Sequence, residues 1–391
     1  MTARAGTRFP RLYLHLFASA ACVLPVASYV LATFGWSPAD IGLGTALIGV
    51  SGTLSSPAWG WLDDRTTWAP RAALLTSAAA AVAVGLTLGR VPHPLTWLAL
   101  ALLGAAQGPL NALLTTRVLE SGAHGSRLGR IRAFGSLGWV VGLALAAAAL
   151  TLWPHHAEWV LFTAALLAVT APSSFGARVR TRADAGAGPR RSTLPVRAVL
   201  GVVVFTFTTS LTMSSLVQFT AGWAHTQLSA GPFLALTPIA LSAALELPAF
   251  SLVDRLALRF RPLVLAVLAC PPLAVATGAL ALFPSTAVMI GVQPLIAASF
   301  ALWFVGQSRM LSEAVPSHQQ ASAQTLGSAL STGCAGLLAG AVGGHIADRL
   351  GYGGLFGTLA ALSLAGAVAG GVAVARGARA RQVLRAGARL R

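Results

Sequence analysis

The sequence predicts an all-α membrane protein of about twelve transmembrane helices in two six-helix halves, and three observations predict it. Of 391 residues, 55% are hydrophobic and 9% charged, with a mean hydropathy of +0.73. Soluble domains carry about 25% charged residues, so a water-facing surface cannot be built from this composition. Apolar runs of about twenty residues recur from end to end, each long enough to cross a hydrocarbon core of about 30 Å. The chain also repeats itself. Pro57-Ala58-Trp59, followed by Asp63, returns 191 residues later as Pro248-Ala249-Phe250, followed by Asp254. TRVL at 116–119 and SRML at 308–311 stand 192 residues apart, as do Gly135-Ser136 and Gly327-Ser328. Agreement among three anchors argues for a duplicated unit.

The elements follow in order. The first run, 11–34, begins behind Arg4, Arg8 and Arg11 and continues past Cys22 to Phe34, which favours an uncleaved helix over a signal peptide. Runs at 40–60, 70–90, 95–117, 131–153 and 157–177 complete the first half, residues 1–177. The stretch 178–196, rich in Arg, Gly and Pro and without apolar periodicity, reads as a cytoplasmic linker. Runs at 197–222, 232–256, 262–283, 286–309, 323–346 and 353–375 form the second half, residues 197–375. A basic cytoplasmic tail, 376–391, is suited to lie along an anionic lipid surface.

Charge gives the orientation. With the N-terminus in the cytoplasm, 25 of the 27 basic residues fall on cytoplasmic segments, leaving only Arg90 and Arg349 outside. An even number of spans then places both termini inside a multi-pass plasma-membrane protein. Every basic residue is Arg, a bias that fits a GC-rich bacterial genome. The net charge of +17 thus reports topology, and nucleic-acid binding is not expected. Cys22, Cys270 and Cys334 lie in apolar runs and read as buried thiols without disulfide or zinc spacing. His155-His156 before Glu158 is too small a group to argue for a metal, and no cofactor or ATP-binding motif appears.

Two six-helix halves joined by a linker resemble the major facilitator superfamily. GWLDDR at 60–65 resembles that family's G-x-L-x-D-R loop, with Asp64 in its Asp position. The following TTWAPR departs from the pattern and keeps only Arg71. ALELPAF at 244–250, SLGWVVG at 136–142 and ALSTGCAGLLAG at 329–340 resemble the sugar efflux transporters. The resemblance implies outward transport of sugars or sugar-like small molecules. The sequence as a whole reads as a monomeric, proton-coupled or facilitative secondary transporter working by alternating access, with no enzymatic activity. A polyspecific drug or metabolite exporter on the same fold is the alternative. A non-transporting membrane sensor is the alternative from another class.

Candidate residues follow from chemistry. Glu246 sits near the middle of the eighth span, where an ionisable side chain costs about 2.5–3.5 kcal/mol. A carboxyl there suits proton uptake in one conformation and release in the other, and packing or pairing as structure is the alternative. Pro248 just beyond it weakens local helix bonding. Thr208, Thr212, Ser215 and Gln218 follow helical spacing on the seventh span. They can line a solute cavity or hydrogen-bond helix to helix. Gln107 and Asn111 share a face of the fourth span, and Trp139, Trp303 and Gln307 are further lining candidates. Asp63, Asp64, Arg65, Asp254, Arg117, Arg132 and Arg309 cluster at cytoplasmic ends, either as gating pairs between the halves or as snorkelling anchors. Trp36, Trp153 and Trp223 close spans and read as interfacial anchors.

Overall fold

The computed structural model describes residues 5–66, 68–88, 91–110, 113–114, 126–154, 156–170, 196–315, 323, 326–327 and 329–389. The linker 178–195, Asn111 and Arg117 lie outside them, and for Asp64 and Arg132 only the backbone is described.

Among the described residues every element is helical. The first span is two helices, α1 (Ala5–Ala21) and α2 (Ala27–Thr33). Pro25 divides them: it has no N–H for the carbonyl of Ala21, and its ring clashes with that carbonyl. Gly35, at φ 76°, closes the turn into α3 (Pro38–Arg65). Ser37 caps α3, accepting from the Asp40 amide at 3.1 Å while its hydroxyl donates to Asp40 Oδ2 at 2.8 Å. α4 (Ala69–Thr87), α5 (His93–Gln107), α6 (Ser126–Leu152) and α7 (Glu158–Thr170) complete the first half.

The second half opens with α8 (Val196–Leu228) and α9 (Pro232–Ala257). Its ninth span is α10 (Pro262–Leu268) and α11 (Cys270–Leu282), parted just ahead of Pro271-Pro272. The tenth is α12 (Thr286–Gly291) and α13 (Gln293–Ala314), parted at Val292 ahead of Pro294. Proline accounts for each break, because single apolar runs were otherwise available. A π-helical turn, Ala329–Cys334, leads into α14 (Ala335–Arg389). Gly351, at φ 71°, folds α14 back on itself and so separates the last two spans. A methyl group on Gly343 would stand 3.4 Å from Leu355, which a straight helix could not bring near. The basic tail is thus a helical continuation of the last span.

Among the described residues, six helical segments are long and apolar enough to cross a membrane, the last being the folded pair Ala329–Arg376. Arg71–Thr87 and Glu158–Thr170 are shorter apolar helices. We call the face where α1 begins the terminal face and the opposite one the far face.

Packing repeats between the halves. α1 packs on α6 and α7, α3 on α5, and α4 on α5 and α7. In the second half α8 packs on both arms of α14, α9 on α13, α10 on α13 and α11 on α14, the same partnerships shifted by six spans. Between the halves α2 meets α8, α3 meets α14 and α6 meets α9, a set that a two-fold rotation maps onto itself. This is the major facilitator architecture of two six-helix halves.

Candidate functional site between the two halves

The seam between the halves is closest where α3 runs antiparallel to the first arm of α14. Gly42 meets Gly340 and Gly344, Gly49 meets Gly336, and Thr53 meets Gly333 in the π-helical turn. A methyl on Gly42 would lie 2.9 Å from Gly344 Cα, and one on Gly344 would lie 2.7 Å from the Pro38 carbonyl oxygen. Helices in lipid approach this closely only where side chains are small. Beside it, the Gly222 amide donates to Ser28 Oγ at 3.1 Å, and the rings of Tyr29 and His225 stand 4.6 Å apart. These contacts run from the far face to mid-membrane. Toward the terminal face, Leu54, Pro57, Ala58 and Trp61 of α3 are exposed.

Gln218 stands at this seam. Its Nε2 donates to the Gly336 carbonyl at 3.0 Å, and its Oε1 accepts from Thr45 Oγ1 of α3, also at 3.0 Å. Thr208, Thr212 and Ser215 of α8 turn toward their own half. Thr212 bonds the Thr208 carbonyl and meets Ser363 Oγ at 3.2 Å, Thr208 lies against Gly366, and Ser215 Oγ donates to the Leu211 carbonyl at 2.9 Å.

Glu246 is half-buried on α9 and makes a polar interaction. One turn along the same face, Phe250 meets Phe300 and Phe304 of α13 edge-on, with centroids 6.1 and 5.8 Å away. Trp303 joins this aromatic group through Phe300 at 5.7 Å. Trp303 Nε1 and Gln307 Nε2, one turn apart on α13, are buried donors without an acceptor. Gln107 Oε1 on α5 is a buried acceptor without a donor. Buried polar atoms are nearly always paired, so these three stand ready for a ligand, an ion or water. Ser299 and Ser331 bury unpaired hydroxyls as well. Sequence reading passed over both, because a lone serine in an apolar run carries no periodic signal. Trp139 packs edge-on against Phe17 of α1 at 6.5 Å, inside the first half.

Near the terminal face, Arg65 serves its own helix and Arg309 its own half. Arg65 lies over the ring of Trp61 at 4.1 Å and donates to the Trp61 carbonyl. Arg309 donates to the Ala257 carbonyl at the end of α9 and lies 4.0 Å from Glu313. Asp63 is buried and engaged, and Asp254 is exposed.

Three expectations need correction. Trp36 is buried and stacks on His93 at 4.0 Å, and Trp223 is buried, donating from Nε1 to Gln227 Oε1 at 3.0 Å. Position at a span end did not reveal that the neighbouring helix ends cover both rings; of the three only Trp153 is exposed. Cys334, expected to be buried, is exposed beside Gly333 where the π turn rotates the helix face. At the far face His156 meets Glu158 at 3.2 Å, and among the described residues no group of three or more His, Cys, Asp or Glu is placed to hold a metal.

A family model described as "MFS_1 like family" matches residues 7–357. A search of curated protein sequences returns no match. Solved structures share the fold. The nucleoside transporter NupG superposes with a TM-score of 0.74 at 14% identity, covering 95% of this chain and 99% of its own. A POT family transporter bound to a thioalcohol-conjugated peptide gives 0.72 at 10% identity, covering 93% and 95%. A D-xylose-proton symporter gives 0.66 at 14% identity, covering 95% and 97%. With the family model spanning most of the sequence and the two-fold helix packing in agreement, the chain belongs to the MFS_1-like family of multi-pass membrane transporters of the major facilitator type.

Proposed function

We propose that the protein is a proton-coupled exporter of sugars or sugar-like small molecules, working as a monomer in a bacterial plasma membrane with both termini cytoplasmic. The observation that carries this reading is Glu246. It is the one carboxylate in the middle of the eighth span, held one turn from an aromatic group whose Trp303 and Gln307 keep unpaired donors. A hydroxyl-rich solute offers acceptors to those donors and a CH-bearing face to the rings. The matching position before Pro57 is Ser55, so only the second half carries the carboxylate, as a single proton site would need. Solved structures of the same fold are named as a nucleoside transporter, a peptide transporter and a D-xylose-proton symporter. Such polar solutes suit the amides Gln107 and Gln307 and the polar residues of α8.

The domain reading is a first half over 1–177, a linker over 178–196, a second half over 197–375 and a basic tail over 376–391. The halves rock about the seam, and Asp63, Asp64, Asp254 and the arginines Arg65, Arg117, Arg132 and Arg309 form the inner gate when that side closes. The terminal face is then the cytoplasmic one, and the structure's closed far face corresponds to an inward-facing state.

Reconstituted vesicles test this. Labelled mono- and oligosaccharides, nucleosides and amphipathic cations are offered with and without a pH gradient. Gradient-dependent movement of a sugar or sugar-like solute is the expected result. Movement of the cations alone would support the polyspecific exporter, and binding without movement would support the sensor.

A further inference from the structure

We infer that the Thr45–Gln218 hydrogen bond is the contact that sets how far the protein stands closed at its far face, which makes Gln218 a positioning residue for the conformational cycle. The inference rests on the reading of the protein as a rocking two-half transporter.

The seam around Gln218 is built from glycine backbone on glycine backbone. Close packing of this kind gives dispersion attraction over a small area and no directional bond. Polar adhesion enters at Ser28–Gly222 and at Thr45–Gln218. The two differ in kind. Ser28 meets a backbone amide, which sits wherever its helix sits. Gln218 is a long side chain whose orientation has to be fixed, and the Gly336 carbonyl fixes it. A methyl on Gly336 would stand 3.7 Å from Gln218 Nε2, an ordinary van der Waals distance, so the amide lies directly against this turn of α14. With Nε2 held by its own half, Oε1 is presented to the other.

The Thr45 hydroxyl has one proton and three acceptors in reach: Gln218 Oε1 at 3.0 Å, the Gly42 carbonyl at 3.0 Å and the Ile41 carbonyl at 3.1 Å. When the seam parts, Thr45 returns its proton to its own helix and stays satisfied. Gln218 loses its donor, but its partly exposed position lets water or a solute replace it. The bond can therefore break without stranding a buried group, as a contact made and broken in every cycle requires. The π-helical turn just before Gly336 adds to this. Such turns interrupt regular helix bonding and recur at functional sites, and this one places Gly333 against Thr53 at the lower end of the same seam.

The test reads distance and not flux. Spin labels go on cysteines replacing Leu152 and Phe283, both exposed at the far end of opposite halves, in a Cys334→Ser background; the other two cysteines are buried. Pulsed electron–electron resonance then gives the separation of the far ends. Wild type is expected to show mainly the short distance. Thr45→Val, which keeps shape and loses the hydroxyl, and Gln218→Leu should each raise the long-distance population about five- to tenfold, the loss of one hydrogen bond. Thr45→Ser should keep the wild-type distribution, and the double variant should exceed Gln218→Leu by little. An unchanged distribution in Thr45→Val, or a shift as large in Thr45→Ser, would overturn the inference. Because no solute is moved in this experiment, its failure is separate from failure of the transport reading.

Discussion

At the scale of single residues, the unpaired donors of α13 give a sharp contrast between structure and function. Trp303 Nε1 is buried without an acceptor, a condition that costs folding about 1–3 kcal/mol. Trp303→Phe keeps the ring and removes the donor. If the donor serves a ligand, thermal stability should be unchanged or higher while the transport rate of the solute found by vesicle screening falls about tenfold. Thermal unfolding in detergent read beside flux checks both, and a loss of stability with flux intact would assign Trp303 to packing. Residue types of this kind were legible in the sequence, because Glu246, Gln107, Gln307 and Trp303 are conspicuous in apolar runs. Their partners were not. Spacing put Thr208, Thr212, Ser215 and Gln218 on one face of α8, yet Thr212 meets Ser363 and Gln218 meets Thr45. Which neighbour a helix face meets depends on helices 150 or so residues away, and periodicity carries no information about that. Ser299, Ser331 and the Trp36–His93 stack were invisible for the same reason.

At the scale of elements, the α3–α14 seam is the part of the fold with least room. Gly42→Ala places a methyl 2.9 Å from Gly344 Cα, closer than carbon atoms pack, so one helix has to move. Overpacking of this sort costs about 1–3 kcal/mol. The strain falls on the closed far face, so the variant should populate the far-open state. Increased labelling of a far-face cysteine in intact cells measures this, and unchanged labelling would mean that the seam yields elsewhere. Span positions were largely legible, since hydropathy fixes where a chain can cross a bilayer. The internal breaks at Pro25, Pro271-Pro272 and Pro294 have a sequence cause but were hidden inside continuous apolar runs. The fold at Gly351 matched the expected gap between the last two spans.

At the scale of the whole molecule, duplication read from three short repeats agrees with packing that maps onto itself by a two-fold rotation. The repeats were sufficient because each half must bury the same helix faces, which preserves small and kinked residues at matching positions. Orientation is a prediction from the arginine count. A cysteine at Leu258, exposed at the terminal end of α9, should resist impermeant thiol reagent in intact cells, whereas one at Phe283 should react. The reverse pattern would invert the topology. The central claim, that Glu246 carries the coupling proton, is tested most directly by Glu246→Gln in proteoliposomes, comparing solute flux driven by a pH gradient with solute counterflow at equal pH. The account predicts that gradient-driven flux falls at least tenfold while counterflow persists; gradient-driven flux equal to wild type would contradict it.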